Sequence, residues 1–406
     1  MKEGVLLIIN ELRPGGAEMF LLRLAQYLES DFDIHIYCLF PQTNDEEFVK
    51  LLKSKVKFNF LDPFKDDRSS FRTRIYWKLN AMGTLFNKKG IFTKLVERDK
   101  RNYFKSELER RNIKAINTSG ISSDNFAINY LNKYFKTPVL LTMHSDYNEE
   151  FWNIEGRSKN EFLKLAESIF SKSASISYTA DHNINVFNEL KNYKGVKPEK
   201  CYLGFTATLP TYNRVELGIS DDAFVIVMMA RGIREKGWIE AIAAFKILQE
   251  QRMNSFLILI STESEHIQNL RDENSNNENI IFRGYQSDPS IFLHSSNCMI
   301  LPSHFPESLP YTITEALACG KPVYACPIAE IPKMLESEDG IAGDLIPLTN
   351  DGVANHVYLA DKLIELANDS FLLKRKEDLA KKAFVKFSME NCGEFYKERL
   401  LSIMKD

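Results

Sequence analysis

Short apolar runs alternate with segments of helical period along nearly the whole chain, and no other feature constrains the fold as much. An apolar run of about five residues followed by an amphipathic stretch is the pattern of a buried parallel strand and its crossover helix. In the first half the expected strands are Val5–Ile9, Ile34–Leu39, Ala115–Thr118, Val139–Met143 and Ala174–Thr179. The helices expected between them are Glu18–Glu29, one near Asn125–Tyr134, Asn160–Ser171 and Asp181–Leu190. The second half repeats the scheme with strands Phe224–Ala230, Phe256–Ile260, Ile280–Arg283, Cys298–Leu301 and Val323–Ala325, and helices Trp238–Glu250, Pro289–His294 and Pro310–Cys319. The aperiodic stretch Gly204–Pro210 reads as a hinge. The predicted fold class is α/β, with two doubly wound parallel sheets facing one another across a cleft.

Composition excludes several classes of function. The chain has 406 residues, with 52 Lys and Arg against 55 Asp and Glu, so no overall charge favours nucleic acid as a partner. The longest apolar runs, Val5–Ile9 and Ala223–Ala230, fall far short of the roughly 20 residues of a membrane-spanning helix. The N-terminus leads directly into Val5–Ile9 and reads as a first strand, not a secretion signal. Six cysteines are scattered without a Cys-x-x-Cys pair, which suits free thiols in a reducing, cytoplasmic location.

One segment fits neither series of strands and helices. Between Phe71 and Val96 stand six basic residues and no acidic one, interleaved with Tyr76, Trp77, Phe86 and Phe92. Such a stretch suits peripheral contact with an anionic membrane surface. It equally suits a solvated helix whose apolar face packs on the first domain.

Ligands of open parallel sheets bind beyond the carboxyl ends of the strands, so the loops after Ile9, Met143, Ala230, Arg283 and Leu301 carry the chemistry. The first contains Gly15 and Gly16 at a strand-to-helix turn, where backbone and free amides can approach an anion; a plain tight turn is the other reading. After Ala230, Arg231 and Lys236 could be aimed together at a diphosphate, or could be solvated charges of a surface loop. After Leu301 comes Pro302-Ser303-His304-Phe305-Pro306-Glu307-Ser308-Leu309-Pro310, then a helix with Pro310 expected at its first position and Gly320 as its stop. Amides of Ser308 and Leu309 near that helix start could hold sugar hydroxyls or phosphate oxygens. Glu315 in the helix could accept from two vicinal hydroxyls or be a surface glutamate, and Glu307 could instead answer the helix dipole.

Glu307 and Glu315, with seven residues between them within Pro-Ser…Glu…Glu-Ala-Leu-Ala-x-Gly-Lys-Pro-Val, resemble the signature of the family 4 retaining glycosyltransferases of GT-B fold. Arg231…Lys236-Gly237 resembles that family's Arg…Lys-Gly loop, Gly15-Gly16-Ala17-Glu18 its N-terminal glycine loop, and Met143-His144 its acceptor-domain histidine. Phe387-Ser388…Tyr396 resembles the tail that crosses back to the first domain. The resemblance implies an acceptor-binding Rossmann-like domain at 1–205, a nucleotide-sugar-binding one at 206–385 and a crossing helix at 386–406. It further implies that Glu315 holds the ribose, and that Glu307 with the Ser308–Pro310 backbone, Leu309 included, binds the transferred hexose. Arg231 and Lys236 are expected to neutralise the leaving diphosphate, Gly15 and Gly16 to approach the same phosphates, and His144 to line the sugar pocket. Gly284, Tyr285 and Gln286 are expected to flank the base. Arg231, Lys236, Glu307 and His144 form the implied catalytic set. The loop departs from the family in reading Glu-Ser-Leu-Pro and in one extra residue before Glu307.

The implied reaction is transfer with retention from a UDP- or GDP-linked hexose to a glycan or lipid-linked acceptor in surface polysaccharide assembly, with no metal and no other cofactor. Asp31-Phe32-Asp33 lies at the amino end of a strand, the wrong edge for a donor-site metal. The cationic pair is expected to do the work of a metal ion. A nucleotide-sugar epimerase of the same fold and a non-catalytic sugar-nucleotide-binding subunit are the competing readings, and the matched set of Gly16, His144, Arg231, Lys236, Glu307 and Glu315 speaks against both. The Phe71–Val96 segment extends the expectation to the inner membrane face.

Overall fold

The computed structural model describes residues 2–13, 15–40, 44–55, 59–61, 91–148, 158–191, 193–206, 214–215, 217–286, 288–304 and 309–405. The chain forms two compact units, Met1–Cys201 with Gly393–Asp406, and Tyr202–Cys392.

The first unit is built on strands β1 (Gly4–Ile9), β2 (Asp33–Cys38), β3 (Asn59–Leu61), β4 (Ile113–Ser119), β5 (Val139–Met143), β6 (Ser175–Tyr178) and β7 (Glu199–Lys200). They form one parallel sheet in the order β3-β2-β1-β4-β5-β6-β7. Every residue of β1 and β5 is buried, as expected of parallel strands covered on both faces. Helix α1 (Gly16–Leu28) buries Phe20, Leu21, Leu22, Leu24, Ala25 and Leu28, an apolar face at helical spacing. Helices α2 (Glu46–Lys55) and α3 (Ile91–Arg110) follow. Of the basic aromatic segment Phe71–Val96, residues 71–90 lie outside the described residues, and 91–96 open α3.

Two expected helices take other forms. The one near Asn125–Tyr134 is α4 (Ile121–Phe126), a π-helical stretch Ala127–Asn132 and the single turn α5 (Lys133–Phe135). The π stretch accompanies the stacking of Phe126 on Tyr130 at 5.4 Å. After α6 (Lys159–Phe170), started by a Ser158/Glu161 capping box, the segment expected as helix Asp181–Leu190 is a 3-10 helix, Asp181–Glu189. Its buried Asn183 accepts from the amides of Thr179 and Ala180 at 3.2 and 2.7 Å, which draws the first turn in against β6.

The second unit holds β8 (Phe224–Ala230), β9 (Ser255–Ser261), β10 (Ile280–Arg283), β11 (Cys298–Leu301), β12 (Val323–Ala325) and the short β13 (Glu336–Ser337), β14 (Gly340–Ile341) and β15 (Gly343–Leu345). Its parallel sheet has the order β10-β9-β8-β11-β12-β15, with β13 and β14 paired apart from it. Phe224, Ile226 and Met228 pack with Trp238 and Phe245 of helix α7 (Trp238–Gln251), whereas Val225, Val227 and Met229 pack with Ile313 and Leu317 on the other face. That alternation is the period of two of a pleated strand buried on both sides. Helices α8 (Glu265–Glu273), α9 (Ser290–Ser295), α10 (Tyr311–Ala318), α11 (Ile331–Leu335), α12 (His356–Asn368) and α13 (Ser370–Phe384) complete the layers. Of the stretch read as a hinge, residues 204–206 are described: Phe205 pairs with Ser388, its amide donating to the Phe387 carbonyl at 2.8 Å.

The last helix, α14 (Met389–Lys405), buries Tyr396 in the first unit, where its hydroxyl meets Thr142 Oγ1 at 3.1 Å and Ser177 Oγ at 2.9 Å. No helix among the described residues is long and apolar enough to cross a membrane.

Candidate functional site

In the second unit the chain runs from β8 outward to β9 and β10, then returns to place β11 on the other side of β8. The crevice at the carboxyl ends of β8 and β11 is therefore the point where the winding reverses, the place where open α/β sheets take ligands. Two of the sequence-predicted loops meet there.

The loop after β8 is clamped along its length. Trp238 Nε1 donates to the Arg231 carbonyl at 3.1 Å from a fully buried ring. The Gly232 amide donates to Thr262 Oγ1 at 3.1 Å, and Ser264 Oγ donates to the Gly232 carbonyl at 2.5 Å. A 3-10 turn, Arg234–Lys236, follows and ends on Gly237 at φ +82°. The two cations sit differently: the Arg231 side chain is exposed, whereas Lys236 is 5% exposed.

The loop after β11 is fastened to this one. The His304 amide donates to the Glu235 carbonyl at 2.9 Å, Ser303 Oγ donates to the same oxygen at 3.4 Å, and Pro302 packs against Gly237. Residues 305–308, Glu307 and Ser308 among them, lie outside the described residues. Pro310 is the extended N-cap of α10 at ψ 111°, not its first helical residue as expected, because Tyr311 is the first to take helical geometry. Leu309 is half-buried and packs on the core beneath. Glu315 stands in the second turn of α10, half-buried. The helix stops as expected: Gly320 takes φ +68°, with its amide on the Leu317 carbonyl and that of Lys321 on the Ala316 carbonyl.

Gly284, Tyr285 and Gln286 follow β10, two strands from β8 and so about 10 Å away across the sheet. Tyr285 is 66% exposed, and Gln286 Nε2 donates to the Gly284 carbonyl at 3.2 Å.

In the first unit the winding reverses between β1 and β4. Gly15 is the N-cap of α1 in extended geometry, and the space a Cβ would fill there is taken by the Glu18 carboxyl. Burial raises the pKa of Glu18. The helix start next to Gly16 thus has a carboxyl of its own chain beside it. His144 follows β5, with its ring 5.5 Å from that of Phe20 on α1. Both ring nitrogens are buried, and burial pushes its pKa down to about 4, so the imidazole is neutral at neutral pH. Asn10, absent from the sequence-predicted set, ties the loop after β1 to the start of α4, after β4, by accepting from the Ser123 amide at 3.1 Å.

Sequence reasoning also missed Thr262 and Ser264, although Ser264 directly before a helical period is an N-cap signal. The Asp31-Phe32-Asp33 motif lies at the amino edge of β2, where Asp31 pairs with Lys397 at 2.9 Å and Asp33 with His35 at 3.2 Å.

Comparison with known proteins accords with this geometry. Residues 211–384 match the family model described as glycosyl transferases group 1. The chain is 26% identical over 204 residues to the lipopolysaccharide 1,2-N-acetylglucosaminetransferase of Salmonella typhimurium, covering 46% of this chain and 50% of that one. It is also 26% identical over 219 residues to the capsular polysaccharide biosynthesis glycosyltransferase CapM of Staphylococcus aureus, covering 52% and 53%. The chain spans about half the length of these curated relatives. A solved glycosyltransferase from Rickettsia africae superposes with a TM-score of 0.70 at 18% identity over 100% of both chains. Anabaena HepE in complex with UDP and glucose superposes with a TM-score of 0.67 at 16% identity, covering 98% of this chain and 100% of that one. Two doubly wound units and these superpositions give the chain the GT-B fold, and its second unit carries the segment that matches glycosyl transferases group 1.

Proposed function

We propose that the protein is a retaining, metal-independent glycosyltransferase of family 4 that moves a hexose from a UDP- or GDP-linked donor to a glycan or lipid-linked acceptor in surface polysaccharide assembly. The observation that carries this reading is the clamp between the Arg231–Gly237 and Pro302–His304 loops at the β8/β11 switch point. It sets a buried lysine and an arginine beside the loop that leads to Glu307 and Glu315. The names of the Salmonella and Staphylococcus relatives support a role in polysaccharide assembly, and the UDP and glucose held by HepE support a nucleotide-sugar donor.

In this reading Glu315 accepts from the ribose hydroxyls, and Glu307 with Ser308, Leu309 and Pro310 orients the hexose. Gly15 and Gly16 approach the phosphates, Gly284–Gln286 flank the base, and the neutral His144 meets the sugar. The bond from the anomeric carbon to the distal phosphate oxygen breaks. Its electrons leave on the diphosphate, where Arg231 and Lys236 stabilise the new charge. The acceptor oxygen bonds to the same face of the carbon and passes its proton to the departing phosphate oxygen. An acceptor carried on lipid would bring the protein to the inner membrane face, with residues 71–96 toward the lipid.

The test is turnover of UDP- and GDP-hexoses by the purified chain with glycan acceptors, with Glu307→Ala as control and the product anomer read by NMR. Retained configuration and loss of turnover in the control are expected. An inverted product overturns the stereochemistry, and hydrolysis or epimerisation without transfer overturns the assignment. Flotation with anionic vesicles at low salt tests membrane contact, which fails if the protein stays at the bottom.

A further inference from the structure

His304 lies at the switch point without a role in the reading above. Its amide is held on the Glu235 carbonyl at 2.9 Å, one residue from Lys236. The two residues before it are fastened to the same loop, Ser303 through Glu235 and Pro302 against Gly237. Its backbone is therefore fixed where the cationic loop and the loop toward Glu307 meet.

The side chain is half-buried, and its Nδ1 is buried without a hydrogen-bond partner among the described residues. A neutral imidazole carries one N–H and one lone pair. With the proton on Nδ1, an unpaired donor would be shut in the interior; with it on Nε2, only a lone pair is buried. An orphaned N–H is the rarer of the two in folded proteins. The donor is thus Nε2–H, on a half-buried ring whose backbone is held to the residue before Lys236, in the loop that carries Arg231. A ligand that completes it must present an acceptor oxygen, and a charged one makes the stronger hydrogen bond.

We propose that His304 Nε2–H donates to the diphosphate of the bound nucleotide as a third contact beside Arg231 and Lys236. This rests on the donor reading above and names a contact that reading does not contain.

The experiment is calorimetric titration of wild type, His304→Phe and His304→Gln with UDP, GDP, UMP and GMP. Hydrogen bonds to charged groups lead us to expect His304→Phe to weaken the tighter-bound diphosphate by roughly 10-fold or more, with the matching monophosphate little changed. His304→Gln, which keeps a side-chain N–H, should recover most of the loss. Unchanged diphosphate affinity in His304→Phe, equal losses for mono- and diphosphate, or no recovery with glutamine overturns the contact. Should His304→Phe fail to fold, ¹⁵N-histidine NMR of the wild type decides instead: Nε2 of His304 must shift with the diphosphate and not with the monophosphate. A wild type that binds none of the four nucleotides overturns the donor reading, whereas binding that is insensitive to His304 overturns this contact alone.

Discussion

Gly237 and Pro302 approach so closely that a Cβ on the glycine would overlap the proline carbonyl oxygen, and Gly237 also takes φ +82°, which side chains disfavour. The loops after β8 and β11 can meet only because residue 237 has no side chain. Gly237→Ala should therefore both strain the backbone and push the loops apart. A loss of about 2 kcal/mol or more, a fall of roughly 4–8 °C in Tm, is expected together with lost transfer. Wild-type melting in this variant would show that the loops are not so fastened.

Arg231 and Lys236 should separate in stability although both are proposed to serve the leaving group. Alanine at either position is expected to lower kcat about 10² to 10³-fold. Arg231 is exposed, so Arg231→Ala should leave stability within about 0.5 kcal/mol. Lys236 is 5% exposed, and its replacement should lower Tm as well. Thermal melts beside turnover assays check the pair.

His144 should make the protein acid-sensitive. Its pKa is about 4 in the folded chain because of burial, against about 6.5 unfolded. Between those values the unfolded state binds a proton that the folded state does not. Stability therefore falls as pH drops from about 6.5 to about 4, by up to about 3 kcal/mol, and this contribution falls no further below. His35 is shifted downward too, chiefly by burial, and acts with the same sign. Urea unfolding of wild type and His144→Gln at pH 7, 5.5 and 4.5 should show a shallower acid loss in the variant.

Tyr396→Phe should loosen the C-terminal helix. It removes the hydroxyl that joins Thr142 and Ser177 in a buried site, at a cost of about 1–2 kcal/mol. An equal denaturation midpoint in variant and wild type would show that the contact adds nothing.

Much of the fold was legible from local pattern. Strands β8, β11 and β12 follow apolar runs, because strands covered on both faces admit no polar residue in their middle. The helix stop at Gly320 was legible too, since its left-handed backbone favours glycine. The 3-10 form of Asp181–Glu189 was not, because it follows from Asn183 reaching back to the amides of the turn after β6.

The amino-acid order by itself determined two series of parallel strands and which loops carry cations, glycines and carboxylates, since these depend on neighbours only a few residues apart. Tertiary structure decided that β11 lies beside β8, that Lys236 is buried while Arg231 is exposed, that Glu18 fills the space over Gly15, and that Glu235 holds His304. Most of these turn on contacts between residues far apart in the chain or on burial against distant elements, and such partners leave no periodic trace in the sequence.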